Sequence, residues 1–228
     1  MNTRTETSLE TSPRSKTRDH MKLLVLGATG GTGIEIVKQA LDRGHSITAL
    51  VRSPDRLTPF RKCISVEQGD LLNITDLEHA MAGHDAVLTA FGPRVPIAKS
   101  DSDLLTRFTV ALINGMKRAG VKRVVVESVA FLFRNSIMPP AYLLGRLFFP
   151  RTVADASGME RLFVESDLAW TLVRPPELTN RPYTGIYRVG EGSLPRFGFK
   201  VARADVAEFM INAAEDRSAI HKIYGIAR

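Results

Sequence analysis

The sequence predicts a doubly wound α/β domain, a parallel sheet with helices on both faces. Two observations carry that expectation. Short apolar runs alternate along the chain with longer stretches of helical periodicity, and glycines mark many of the connections. At residues 22–33 the first strand and helix are joined by Gly27-Ala28-Thr29-Gly30-Gly31-Thr32-Gly33. Right-handed crossovers between successive strands would then align their C-terminal ends along one edge.

Residues 1–20 are polar, rich in Thr, Ser and Arg, and read as a disordered tail, leaving 21–228 as one domain. Residues 23–26 are an unbroken apolar run, as a strand buried on both faces requires. Residues 34–41 read as the first helix, with Gly44 a candidate C-cap. Residues 46–51 read as the second strand, and 63–68 as the third, closed by Gly69-Asp70-Leu71. A helix follows over 73–81, capped by Asn73 with Asp76 at its third position. Residues 85–90 read as the fourth strand, 104–119 as a long helix ended by Gly120, and 123–127 as the fifth strand, with Ser128 at its tip. Residues 129–150 are apolar and not clearly periodic, which suits a lid, a pocket wall or a partner-facing patch. A helix over 155–165, a sixth strand over 169–173, a helix over 204–214 and a last strand over 222–226 complete the chain. No internal repeat or second domain boundary is visible.

Composition narrows the function. The chain has 228 residues and a net charge of +7, but its basic residues are dispersed, so a nucleic-acid partner is not expected. No apolar run reaches the ~18 residues of a membrane span. A single cysteine, Cys63, and five scattered histidines offer neither a disulfide framework nor a metal site. A cytoplasmic setting is the expectation.

The glycine-rich turn carries the chemistry. Gly27 permits the tight turn off the strand, Gly30 lets backbone approach a pyrophosphate, and Gly33 lets helix and strand pack closely. Free N–H groups and the positive helix end then face the phosphates, and the Thr29 and Thr32 hydroxyls can add hydrogen bonds. The spacing is Gly-x-x-Gly-x-x-Gly, in the setting of a dinucleotide-binding unit. Arg52 and Ser53 stand just beyond the second strand, where a basic residue pairs with the 2′-phosphate of NADP. Arg56 and Arg61 are candidate helpers. Asp70 and Leu71 lie where adenine would sit, although Asp70 also reads as a cap of the helix that follows. Gly92, after Phe91, again suggests close approach of backbone and cofactor.

With these pieces in place the chain resembles the atypical short-chain dehydrogenase/reductases. The matching segments are Gly27-x-x-Gly30-x-x-Gly33, Val51-Arg52, Gly69-Asp70-Leu71, Ser128, Val173-Arg174-Pro175-Pro176 and Arg203-Ala204-Asp205-Val206-Ala207. Within that group it is similar to the biliverdin-IXβ reductase/flavin reductase branch, with NmrA-like relatives. The resemblance spans about residues 21–228 and implies a single Rossmann-like domain binding NADP(H). It implies that Gly27, Thr29, Gly30, Gly31 and Thr32 hold the pyrophosphate, and Arg52 and Ser53 the 2′-phosphate. Asp70 and Leu71 would frame the adenine, and Phe91, Gly92 and Arg94 would line the ribose and diphosphate path. Ser128, Pro176, Glu177 and Leu178 would surround the nicotinamide. Two departures stand out. The usual Tyr-x-x-x-Lys pair is missing, its near match being Tyr142 with Arg146, and Glu177 replaces the histidine of the biliverdin-reducing members.

The resulting expectation is an NADPH-dependent oxidoreductase passing hydride to a planar acceptor such as a flavin or quinone, with Ser128 and Glu177 as catalytic residues. Ser128 would hydrogen-bond the nicotinamide amide or the acceptor, and Glu177 would position the carboxamide or relay a proton. The alternatives are an NmrA-like redox sensor without turnover and a sugar-nucleotide-type epimerase. The partner expected is a small molecule and the subunit a monomer, with a dimer as the alternative.

Overall fold

The computed structural model describes residues 20–92, 102–133 and 150–228. Its strands are β1 (Lys22–Leu26), β2 (Ser46–Val51), β3 (Ser65–Gln68), β4 (Ala86–Thr89), β5 (Arg123–Glu127), β6 (Ala169–Arg174), β7 (Glu177–Thr179), β8 (Arg188–Glu191), β9 (Lys200–Ala202) and β10 (Lys222–Ala227). The helices are α1 (Gly31–Asp42), α2 (Ile74–Met81), α3 (Leu104–Ala119), α4 (Pro150–Glu165) and α5 (Arg203–Glu215). Among the described residues the main sheet runs β3-β2-β1-β4-β5-β6-β10-β8, parallel except for β8, which pairs antiparallel with β10 at the edge. The strand order reverses between β1 and β4, the topological switch point where crevices open in such sheets.

Side-chain alternation splits β1 between two cores. Leu23 and Val25 pack against α1 and α5, through Ile36, Val37, Val206 and Met210. Leu24 and Leu26 pack against α2, α3 and α4, through Leu77, Phe108, Leu112 and Phe163. The helices thus cover both faces, as the alternating pattern predicts.

Local signals act mostly as read. The Asn73 carboxamide oxygen accepts from the Thr75 and Asp76 N–H groups, 2.9 and 3.3 Å away, and caps α2. Gly120 closes α3 in the left-handed region at φ +72°. Two helix starts differ. The α4 helix begins at Pro150, five residues before the expected start, and α1 begins inside the glycine turn, at Gly31. Asp155 instead caps its neighbour, accepting from the Leu105 and Thr106 N–H groups of α3 at 2.8 and 2.9 Å. Pairing of β7 with β9, a separate two-stranded parallel sheet, and the edge strand β8 were not among the expected elements. Their short polar sequences give no period to read. Residues 1–19 and 134–149, which hold most of the expected tail and of the apolar stretch, lie outside the described residues.

Candidate cofactor crevice

The loop after β1 is built around contacts that a side chain would destroy. Gly27 sits at φ +78°, and a Cβ there would lie 2.7 Å from the Ala90 carbonyl at the end of β4. The Gly30 N–H donates to the Gly27 carbonyl at 2.8 Å, closing the turn. A Cβ on Gly33 would lie 2.1 Å from the Gly27 carbonyl oxygen. The first N–H groups of α1 have no preceding helical carbonyl to meet. That cradle fits a diphosphate.

The other strand ends bring their residues to the same edge. Arg52 and Ser53 are exposed at the end of β2, and Arg56 donates to the Thr29 carbonyl at 3.1 Å, tying that region to the glycine loop. Asp70 is held on both sides, its N–H donating to the Asp76 carboxylate at 2.8 Å and its own carboxylate accepting from the Leu72 N–H at 3.0 Å. The Leu71 side chain is buried in the α2–α3–α4 core. The Phe91 ring packs on Phe108 with centroids 4.6 Å apart, and among the described residues nothing lies within 4 Å of where a Gly92 Cβ would sit. Arg94, with Tyr142 and Arg146, falls outside the described residues.

At the β5 and β6 ends the chain places a polar network that spacing alone does not show. The buried Ser128 hydroxyl donates to the Glu160 carboxylate of α4 at 2.5 Å. Glu160 also accepts from Arg174 Nε at 2.9 Å and from the same guanidinium's Nη2. Arg174 in turn lies over the Phe133 ring, 4.5 Å from its centroid. The Ser128 N–H donates to the Val173 carbonyl at 2.7 Å, so backbone and side chain are both fixed. Pro176 is half-buried beyond this network, Leu178 packs against the α1–α5 core, and Glu177 is exposed and paired with Lys200 at 3.2 Å.

Between cradle and network stands Glu127, the last residue of β5. The Thr32 hydroxyl donates to it at 3.2 Å. Burial pushes its carboxyl up to about 7, against the opposing effects of the Thr32 hydrogen bond and the Arg203 charge. Arg203 opens α5 and lies against Gly31, with Nη1 donating to the Leu178 carbonyl at 3.3 Å and the Asn180 side chain at 2.7 Å. Beyond it, β7, β9 and the start of α5 line a cavity of about 330 Å³ that includes Thr179, Arg181, Thr184 and Lys200. The sequence does not single out Glu127, Glu160 or Arg203 as site residues. Each is brought beside the crevice by a partner 14 or more residues away, and single-sequence periodicity carries no such pairing.

No group of three or more His, Cys, Asp or Glu among the described residues could hold a metal ion. No helix among them is long and apolar enough to cross a membrane.

Comparison with known proteins agrees with this geometry. The NAD(P)H-binding family profile matches residues 27–217. An uncharacterized chloroplastic protein of Arabidopsis thaliana is 30% identical over 215 residues, covering 90% of this chain and 76% of the relative. The 3-diazoavenalumate denitrifying reductase of a Streptomyces species is 29% identical over 188 residues, and the match takes in 76% of this chain and 61% of that protein. A short-chain dehydrogenase/reductase from Veillonella parvula, solved in complex with NADP, superposes with a TM-score of 0.78 at 19% identity, covering 92% of this chain and 95% of its own. The fold is that of the Rossmann-like short-chain dehydrogenase/reductases, and the chain belongs to the NAD(P)H-binding family.

Proposed function

We propose that this protein is an NADPH-dependent reductase that passes hydride to a planar acceptor such as a flavin or quinone. The observation that supports it most is the row of strand ends described above. A phosphate cradle, exposed arginines beside it and a buried, oriented serine share one edge of the sheet. The reductase name of the Streptomyces relative, whose length this chain spans by 61%, points the same way.

In this reading Gly27, Gly30 and the first N–H groups of α1 hold the pyrophosphate. Thr29 and Thr32 border it, with the Thr32 hydroxyl already committed to Glu127. Arg52, Ser53 and Arg56 take the 2′-phosphate, which favours NADPH over NADH. Asp70 and Leu71 flank the adenine, Phe91, Gly92 and Arg94 the ribose path, and Pro176 and Leu178 the nicotinamide. The bound dinucleotide supplies the hydride, and the protein supplies orientation. The Ser128 hydroxyl donates its hydrogen bond to Glu160, so its lone pairs stay free to accept from the carboxamide N–H₂ or from a protonated acceptor. Glu177, exposed at the start of β7, relays a proton from solvent.

Purified protein mixed with NADPH and excess FMN, or a quinone, tests the proposal through loss of reduced-nicotinamide absorbance, with NADH in parallel. Turnover faster with NADPH is expected. Tight NADPH binding with no turnover on any planar acceptor would overturn the reductase and leave a dinucleotide sensor.

A further inference from the structure

We propose that Arg203 is a diphosphate ligand of the dinucleotide site and that Gly31 is glycine to make room for it. The inference rests on the cofactor reading above and adds to it a residue from the far end of the chain.

The geometry begins at Gly31, the first residue of α1. A Cβ there would lie 2.5 Å from Arg203 Cδ and 2.7 Å from Nε, while no backbone atom crowds it. The α5 side chain therefore fills the place where any other residue at position 31 would project. Gly27 and Gly33 are different, since both are crowded by backbone of the loop or of β4.

The guanidinium also has no ion-pair partner among the described residues. Its hydrogen bonds go from Nη1 to two neutral acceptors, the Leu178 carbonyl and the Asn180 side chain. Among the described residues no carboxylate lies within ion-pair distance of it. Glu127 feels its charge from farther off and is itself bonded to Thr32. An arginine presents five donors in a planar fork and is always charged. Here the fork is half-buried, pinned at one nitrogen, and set beside the N-terminus of α1, where backbone N–H groups already await an anion. A diphosphate on that cradle would meet the free side of the fork. Every dinucleotide carries the diphosphate, whereas the 2′-phosphate is confined to NADP(H). Arg203 should thus serve both cofactors equally, in contrast to Arg52.

Titration of NADPH and NADH fluorescence against wild type, Arg203→Met, Arg203→Lys, Gly31→Ala and the Gly31→Ala/Arg203→Met double variant tests this, with thermal melting of each. Arg203→Met should weaken both dinucleotides by the same factor, about tenfold or more, and flatten the salt dependence of binding. Arg203→Lys should recover most of the loss. Gly31→Ala should weaken binding by pushing the Arg203 side chain away, and should cost nothing further once Arg203 is Met. Unchanged binding in Arg203→Met, a loss confined to NADPH, or additive effects of the two substitutions would overturn the proposal. If Arg203→Met melts below the assay temperature, Gly31→Ala decides it, since it keeps the arginine and only displaces its side chain, and unchanged binding of both dinucleotides in that variant would overturn the proposal. Failure of the wild type to bind either dinucleotide would overturn the cofactor reading itself, a result distinct from all of these.

Discussion

Ser128, at the tip of β5, donates its hydroxyl proton to Glu160 of α4 across 2.5 Å, and Glu160 is the carboxylate that neutralises Arg174. The serine is thereby locked into one rotamer with its lone pairs free. Removing each partner should have an unequal effect. Ser128→Ala forfeits one hydrogen bond to a charged group, about 1.5 kcal/mol. Glu160→Ala strands a guanidinium whose side chain is 12% exposed, and should cost about 3–5 kcal/mol. Urea denaturation midpoints of the two variants check the ordering. In the reductase reading Ser128→Ala also lowers hydride transfer while leaving NADPH affinity within a few-fold of wild type.

Glu127 makes stability depend on pH. Burial raises its carboxyl to about 7 in the folded chain, from 4.5 when unperturbed. The folded state therefore holds a proton that the unfolded state releases between those values. The contribution is fully present below about pH 4.5 and is lost as pH rises through 7, amounting to roughly 3 kcal/mol at most. Glu127→Gln keeps an acceptor for Thr32 without the charge. Melting temperatures between pH 5 and 8 should fall for the wild type and stay flatter for the variant. A wild-type profile that rises with pH over this window, with the variant unchanged, would contradict the buried-carboxyl account.

Arg52 sets cofactor preference in the proposed reading. Its side chain is exposed at the end of β2, so Arg52→Ala should not disturb folding. The variant should lose about 10- to 100-fold in affinity for NADPH and almost nothing for NADH. Parallel titrations read the ratio, and equal losses for both would remove Arg52 from the 2′-phosphate site.

Two glycines at opposite ends of α1 should respond differently to alanine. Gly33→Ala drives a Cβ to within 2.1 Å of the Gly27 carbonyl oxygen, so the loop must open, at a cost of about 3 kcal/mol. Gly44 has open space but sits at φ +83°, so alanine there meets only backbone strain, about 1–2 kcal/mol. Dinucleotide binding should be lost with the first and kept with the second, as calorimetric titration of each would show.

Much of this fold is legible in the sequence because its signals are local. The run Leu23–Leu26 followed by Gly27, Gly30 and Gly33 fixes a strand, a turn and a helix without reference to anything else. Asn73 and Gly120 mark helix ends by chemistry confined to a turn. The site is legible only in outline. Arg52, Ser128 and the glycines stand at strand ends and can be found by counting, but Glu160 matters because α4 packs over β5, and Arg203 because α5 crosses above the start of α1. The position of Asp155 makes the same point in reverse. It looks like the start of its own helix, and tertiary packing turns it to another.

That borrowed cap has a consequence for synthesis. The first turn of α3 is closed by a carboxylate 50 residues further along the chain than Leu105. A nascent polypeptide that has emerged through α3 therefore carries that turn with its N–H groups still facing water. It is secured when α4 arrives and docks, so α3 and α4 mature as a unit. The β5–Glu160 contact on which Ser128 depends is completed in the same event.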